Sequence, residues 1–435
     1  MNHRATLAVG ETTAASARFA RVLPLAFVTY SLAYLDRMNI QYAAASGMKE
    51  SLHASDKVFT LFSASFFIGY VLFQIPGASY AAKFSVKRLM FWSLIAWGIL
   101  ASLTGFLTSI RLLVLDRILL GAVEGVVFPG LLVYLTHWFT KPERSRANVV
   151  LILGNPLTLL WASVFSGYLI AHFNTHPLFG LPGWKLMFLA EGLPTLIWAG
   201  IWWFLADDRP DEAPWLSPEQ AAAVQHQLDE EQRNIPGMRD YWAAFVDPKV
   251  IIISALFFAW SLGIYGLNSW LAVIVKHGSG MGIATTGLLN SIPYAFGMVA
   301  MLAVSYASDK TLVRKAFVWP CMFLGAAAFL LSYLSGPAHF WWAFTGLIVA
   351  CACMYAPYGP FWAMVPELVP RNVVGESLAL VNTIGAVGGF AGTWFVGLLN
   401  YATGSPGPGF VCMGSALFAA GVLTLAVRPR AAVLA

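Results

Sequence analysis

From Leu112 to Leu135 the chain passes through an almost wholly apolar stretch. About 20 such residues span the hydrocarbon core of a bilayer as an α-helix. Eleven more stretches of this kind exist, giving twelve in all: about 20–44, 57–82, 87–108, 112–138, 146–172, 186–206, 249–276, 282–307, 315–335, 340–365, 372–399 and 408–427. Inside hydrocarbon, backbone N–H and C=O groups need partners within their own segment, and a helix supplies them. The expectation is an all-α membrane protein of twelve transmembrane helices in two six-helix halves.

Only 11% of the 435 residues are charged, against about 25% in soluble domains, so little mass lies outside the bilayer. An even number of spans puts both termini on one side. Nineteen Lys and Arg fall on that side, and five opposite: Lys49, Lys57, Arg111, Lys185 and Lys276. Basic loops stay cytoplasmic, so both termini are expected there, in a plasma or bacterial-type inner membrane. The net charge of +5 follows from those loops and implies no nucleic acid. No cleavable signal peptide is expected, because the first apolar stretch is interrupted by Asp36-Arg37. Cys321, Cys351, Cys353 and Cys412 all lie in apolar stretches and read as packing thiols. The scattered histidines have no metal-ligand spacing, and no Gly-x-x-x-x-Gly-Lys phosphate loop is present, so neither metal, cofactor nor ATP drive is expected.

Residues 207–248 hold ten of the 21 acidic residues and link the halves as a cytoplasmic segment. Within it, Ser217-Pro218-Glu219-Gln220 carries the signature of a helix start. The expected units are therefore 1–206, the linker 207–248, and 249–435. The halves repeat. A shift of 227 residues carries Ala82-Lys83 and Lys87-Arg88 onto Asp309-Lys310 and Arg314-Lys315, Arg144 onto Arg371, and Asn155 onto Asn382. Under that shift Asp36-Arg37 falls on Gly263-Ile264 and Glu124 on Cys351, so titratable groups are confined to the first half.

Arg117 and Glu124 are seven residues apart, hence on one helix face about 10 Å apart. A charge at mid-bilayer costs about 2.5–3.5 kcal/mol on insertion scales, so it should face a polar interior with a partner. Asp36-Arg37 is the other intramembrane stretch that provides one. Arg37 is expected to clamp a substrate carboxylate through its planar fork. Asp36 and Arg117 are expected to pair, holding the first span to the fourth. Asp116 is assigned no role, and Glu191 is read as structural.

The residues that carry a family likeness run along nearly the whole chain: Tyr34-Leu35-Asp36-Arg37-Met38-Asn39, Gly69-Tyr70 with Ile75-Pro76-Gly77, and Arg117-Ile118-Leu119-Leu120-Gly121 with Glu124-Gly125. Phe128-Pro129-Gly130, Trp138-Phe139, Arg144-Ser145-Arg146, Gly183-Trp184, Glu191-Gly192, Asp207-Asp208, Ser308-Asp309-Lys310, Phe361-Trp362 and Asn382 follow. Together they resemble the major facilitator superfamily, and within it the anion:cation symporters of organic and sugar acids. The resemblance implies protonation at Asp36 and Glu124, with Arg117 in the same coupling group. It also implies substrate contacts at Arg37, Tyr70, Asn155, Trp362 and Asn382, with Tyr34 and Tyr265 as further candidates. The chain departs from the pattern between the second and third spans, where the usual Asp-Arg pair and following Gly are Ala82-Lys83 and Ser85.

The expected function is proton-coupled uptake of a small organic anion, most simply a sugar acid such as an aldonate, by a carrier that works as a monomer. Buried amides and hydroxyls would pair with substrate hydroxyls, and an aromatic acid would leave several unpaired at about 1–3 kcal/mol each. Uptake of an aromatic or dicarboxylic acid is the alternative. A non-transporting ligand sensor would need a larger signalling domain than the linker offers. Gly154-Asn155-Pro156 lacks the Gly-Pro pairing typical of drug antiporters, which weighs against efflux. No nucleophile–base or metal constellation indicates an enzyme.

Overall fold

The computed structural model describes residues 2–233, 247–368 and 374–427, and among these residues every regular element is helical. The helices are α1 (Asn2–Ala45), α2 (Met48–Ser51), α3 (Asp56–Lys83), α4 (Val86–Thr104), α5 (Ile110–Gly125), α6 (Val127–Trp138), α7 (Lys141–Thr175) and α8 (Gly183–Leu205). A surface helix α9 (Pro218–Arg233) follows, then α10 (Pro248–Ser279), α11 (Ile283–Thr311), α12 (Arg314–Ser335), α13 (Phe340–Tyr355), α14 (Tyr358–Leu368), α15 (Val374–Thr403) and α16 (Gly407–Ala426). Eleven candidate spans among the described residues are long and apolar enough to cross a membrane. The twelfth expected span lies on α1, whose apolar stretch is diluted by Asp36, Arg37 and Asn39.

The fourth and tenth spans are each broken, at Val126 between α5 and α6 and at Ala356-Pro357 between α13 and α14. Pro129 explains the first break: its ring meets the carbonyl of Gly125, four residues back, and it has no N–H to offer. Pro357 acts directly at the second. The two breaks occupy nearly equivalent places in the repeat, as do α3 with α11, α4 with α12 and α7 with α15. Arg371, the repeat partner of Arg144, lies outside the described residues. The helix start expected at Ser217 is present, with Gln220 N donating to Ser217 Oγ and Ser217 N to Gln220 Oε1, both at 3.2 Å.

Glycine sets how closely α3 and α5 approach. A Cβ on Gly69 would stand 1.9 Å from the Ile118 carbonyl oxygen, and one on Gly121 would stand 1.8 Å from that of Phe66. Backbone lies on both sides, so neither clash is relieved by a rotamer change. We expect Gly121→Ala to lose about 1–3 kcal/mol through forced separation of the helices, with a matching fall in folded yield and thermal midpoint in detergent. Wild-type stability would show that the seam tolerates a wider spacing.

The halves meet along α7 with α11, α3 with α15, and α1 with α10. At the α1 C-terminal end of the bundle, Gly287 packs against Ser163 and Gly167, and Asn290 donates to the Tyr42 hydroxyl at 3.2 Å. Further in, Gln74 Oε1 accepts from Asn382 Nδ2 at 3.0 Å. At the opposite end, the carboxylate absent at Ala82 has a counterpart from elsewhere in the chain. Asp208, after α8, accepts from Lys87 N at 2.8 Å and from Ser85 Oγ at 2.5 Å, placing negative charge at the start of α4. Beside it, burial pushes the Asp207 carboxyl above its ordinary range, against the opposing pull of Lys87.

Candidate functional site

Asp36, Arg37, Arg117 and Glu124 are all buried, on α1 and α5. The close α3–α5 seam brings the Phe66–Tyr70 turn of α3 against the same region. Two neighbouring clusters result, because adjacent residues Asp36 and Arg37 point to different faces of α1.

In the first cluster, Arg37 Nη2 donates to Glu124 Oε2 at 3.2 Å, with side chains 6% and 0% exposed. The guanidinium carbon sits 4.7 Å from the ring centre of Tyr70, 4.9 Å from Tyr34 and 5.0 Å from Phe66. Aromatic faces stabilise a cation that has lost its water, and here they wall it on several sides. Tyr30 extends the cluster by donating from its hydroxyl to that of Tyr34 at 3.4 Å. Arg37 Nε and Glu124 Oε1 have no hydrogen-bond partner. The ion pair therefore rests on one N–H···O contact, although a guanidinium can offer a carboxylate two parallel bonds. Unused capacity of this kind is what an incoming carboxylate would engage.

In the second cluster, Asp36 Oδ2 accepts from Trp97 Nε1 at 2.8 Å and Oδ1 from Asn39 Nδ2 at 2.6 Å. Arg117 Nη2 donates to the other end of the same amide, Asn39 Oδ1, at 3.2 Å. The expected direct pairing of Asp36 with Arg117 is thereby corrected: Asn39 stands between them. Both carboxylate oxygens are already occupied by short neutral donors. The amide orientation follows from charge, since its N–H must face the carboxylate and its oxygen the guanidinium. Arg117 is further packed over the rings of Phe188 at 5.4 Å and Phe62 at 5.7 Å.

The remaining candidates are more dispersed. Asn155 is buried on α7 with Oδ1 unpartnered. Asn382 spends its amide on Gln74 of the other half, with Thr383 Oγ1 3.5 Å from the same oxygen. Trp362 packs edge-on against Phe257 at 5.1 Å and Phe361 at 5.3 Å. Tyr265 meets Phe67 at 4.9 Å, carrying α10 up to α3. Of the predicted substrate contacts, Tyr34 and Tyr70 pack directly against the Arg37 guanidinium.

Sequence reasoning missed Asn39, Trp97, Phe66 and Gln74 as members of this network. Asn39 lies one turn from Asp36 on the same face, which was a usable signal. Trp97 had none, since an indole in an apolar run looks like packing. Two acids were set aside although they are buried. Asp116 Oδ2 accepts from Thr104 Oγ1 at 2.7 Å, and Glu191 Oε1 accepts from Ser166 Oγ at 2.6 Å.

Comparison with known proteins agrees with this architecture. Residues 26–393 match the model of the Major Facilitator Superfamily. A protein of Agrobacterium vitis that carries the name of a tartrate transporter is 30% identical over 93% of this chain and 89% of its own. A quinolone resistance transporter of Acinetobacter baumannii is 28% identical over 94% of each chain. Among solved structures, the inward-open xylose transporter XylE of E. coli superposes with a TM-score of 0.77 at 15% identity, over 96% of this chain and 98% of that one. At that identity the likeness speaks for the fold alone.

Proposed function

The chain belongs to the major facilitator superfamily, and on that premise we propose that it is a proton-coupled symporter that takes up a small organic anion. The observation that carries this reading is the Arg37–Glu124 pair: buried, walled by Tyr34, Tyr70 and Phe66, and held by one contact. A substrate carboxylate that takes the Arg37 fork competes with Glu124 for the same charge. Two anions on one cation in a desolvated site are unfavourable, so substrate entry and proton uptake by Glu124 reinforce each other. Asp36, held by Trp97 and Asn39 and facing Arg117 through that amide, is the second proton site.

A polyhydroxylated acid, an aldonate or a tartrate-like hydroxy-diacid, suits this site better than an aromatic one. Asn155 and Gln74 each keep a buried amide atom without a partner, and substrate hydroxyls would satisfy them. The tartrate name of one relative favours the diacid member of this pair, and the quinolone name of another supports an efflux reading as the competitor. Purified protein in liposomes decides among them. Under an inward proton gradient, labelled aldonate or tartrate should accumulate, and an aromatic acid or a quinolone should not compete. Outward pumping of a quinolone would overturn the uptake reading.

Orientation is proposed from the basic loops, with both termini cytoplasmic. Cysteine placed at Ser217 should react with an impermeant maleimide only in inverted vesicles, and one placed at Phe179, in the loop before α8, only in intact cells. The reverse pattern would invert the topology.

A further inference from the structure

Glu191 remains unused by the scheme above, and its surroundings are unusual for a structural acid. It lies on α8 with 1% exposure, and Oε1 accepts from Ser166 Oγ of α7 at 2.6 Å. Oε2 is buried and has no partner. Among the described residues Glu191 makes no ion pair. Its neighbours are polar without being cationic. Asn39, Asp36 and Tyr42 of α1 are within its electrostatic reach. Arg117 of α5 reaches α8 one turn away, over the ring of Phe188, but spends its hydrogen bond on Asn39. From α4, Ser102 packs against Gly192, the residue after Glu191, and Trp97 donates to Asp36. On α8 itself Lys185 lies more than a turn toward the helix start.

The buried charges of the first half do not balance. Among the described residues Asp36, Asp116, Glu124 and Glu191 are four buried carboxyl groups; of the three buried cations Arg18 is paired with Glu143 at the start of α7, which leaves Arg37 and Arg117 for the four. In a low-dielectric interior an unpaired carboxylate is costly, and protons are the counter-ions available when substrate and gradient change. Asp116, Glu124 and Glu191 each keep an unpartnered oxygen, but Arg117 adjoins Asp116 in the chain and Arg37 pairs with Glu124, so Glu191 is the one of the three with no cation at hand. It lies eight residues from the start of α8, about 12 Å along the axis. Tyr42 and Asn290 close the bundle at that same end.

We propose that Glu191 is a third proton-carrying carboxylate of the transporter, loaded beside Asp36 from the α8 N-terminal side and emptied in the same cycle. This rests on the symport reading above. On loading, water delivers one proton to Oε2 and the carboxylate becomes a carboxylic acid. On release that O–H bond breaks and the proton returns to water, leaving the charge near Asn39 and the Ser166 hydroxyl. Ser166 holds Oε1 throughout and keeps the group aimed at its neighbours.

The test is the number of protons moved per substrate, read from reversal potentials in proteoliposomes, a ratio independent of yield. Glu191→Gln should lower that ratio by one relative to wild type, and Ser166→Ala should keep the ratio while displacing the pH profile of uptake. An unchanged ratio in Glu191→Gln overturns the proposal. If Glu191→Gln gives no transport at all, Glu191→Asp decides: recovery of the wild-type ratio supports a titrating group, and failure to recover makes the residue structural. Sodium-dependent wild-type uptake that Glu191→Gln abolishes would make the site a metal-cation ligand and overturn it as well. A wild-type carrier that accumulates no acid under a proton gradient sinks the symport reading itself, which is a different result from an unchanged mutant ratio.

Discussion

Glu124→Gln is expected to abolish accumulation of substrate against its gradient while leaving substrate exchange intact. Gln has the size of the protonated acid and can still accept from Arg37 Nη2, now at 3.2 Å from Glu124 Oε2, but it has no proton to release. Each coupled proton lets a pH difference of one unit support about tenfold accumulation, since about 1.4 kcal/mol corresponds to a factor of ten. In the mutant that ratio should fall to about one. Counterflow should persist, because exchange does not require the empty carrier to return deprotonated. Both assays on a single proteoliposome preparation separate coupling from folding. If Glu124 only braces Arg37, the loss should appear in binding or folded yield instead. Gradient-driven accumulation at the wild-type level would remove Glu124 from coupling.

Arg37→Lys should weaken substrate binding by about 1–3 kcal/mol, the range for hydrogen bonds to charged groups. The lysine ammonium keeps the charge and loses the planar fork. It also loses the flat face that packs between Tyr34, Phe66 and Tyr70. Glu124 would then sit opposite a compact, more strongly hydrated cation, with Oε1 still unpartnered. Calorimetric titration of the purified protein with the transported acid gives the answer. Affinity equal to wild type would reduce Arg37 to a structural partner of Glu124.

The course of the bundle could be read from the chain because bilayer thickness fixes span length, and charge in hydrocarbon is too costly to scatter. Spans, turns and the repeat of 227 residues followed from those two constraints, and so did the confinement of Asp36, Arg37, Arg117 and Glu124 to the first half. Their proximity was also legible, since buried charges without partners are excluded. The pairing itself was not. Asp36 and Arg37 are adjacent in sequence, and a rotation of about 100° per residue sends them to different clusters. Which acid meets which base then depends on how α1 is turned against α4, α5 and α8. Asn39 and Trp97 settle that question by filling both oxygens of Asp36, and an amide or indole in an apolar run gives no warning of such a role.

The sequence by itself determined a twelve-span helical membrane protein with a duplicated plan and a charged centre in one half, because hydrophobic length and charge cost act locally along the chain. Only the tertiary structure decided that Arg37 belongs to Glu124 inside an aromatic cage, that an amide separates Asp36 from Arg117, and that Glu191 is buried with one oxygen unpartnered. Hydrogen bonds are satisfied over about 3 Å, and that distance is set by helix rotation and by backbone approach at Gly69 and Gly121.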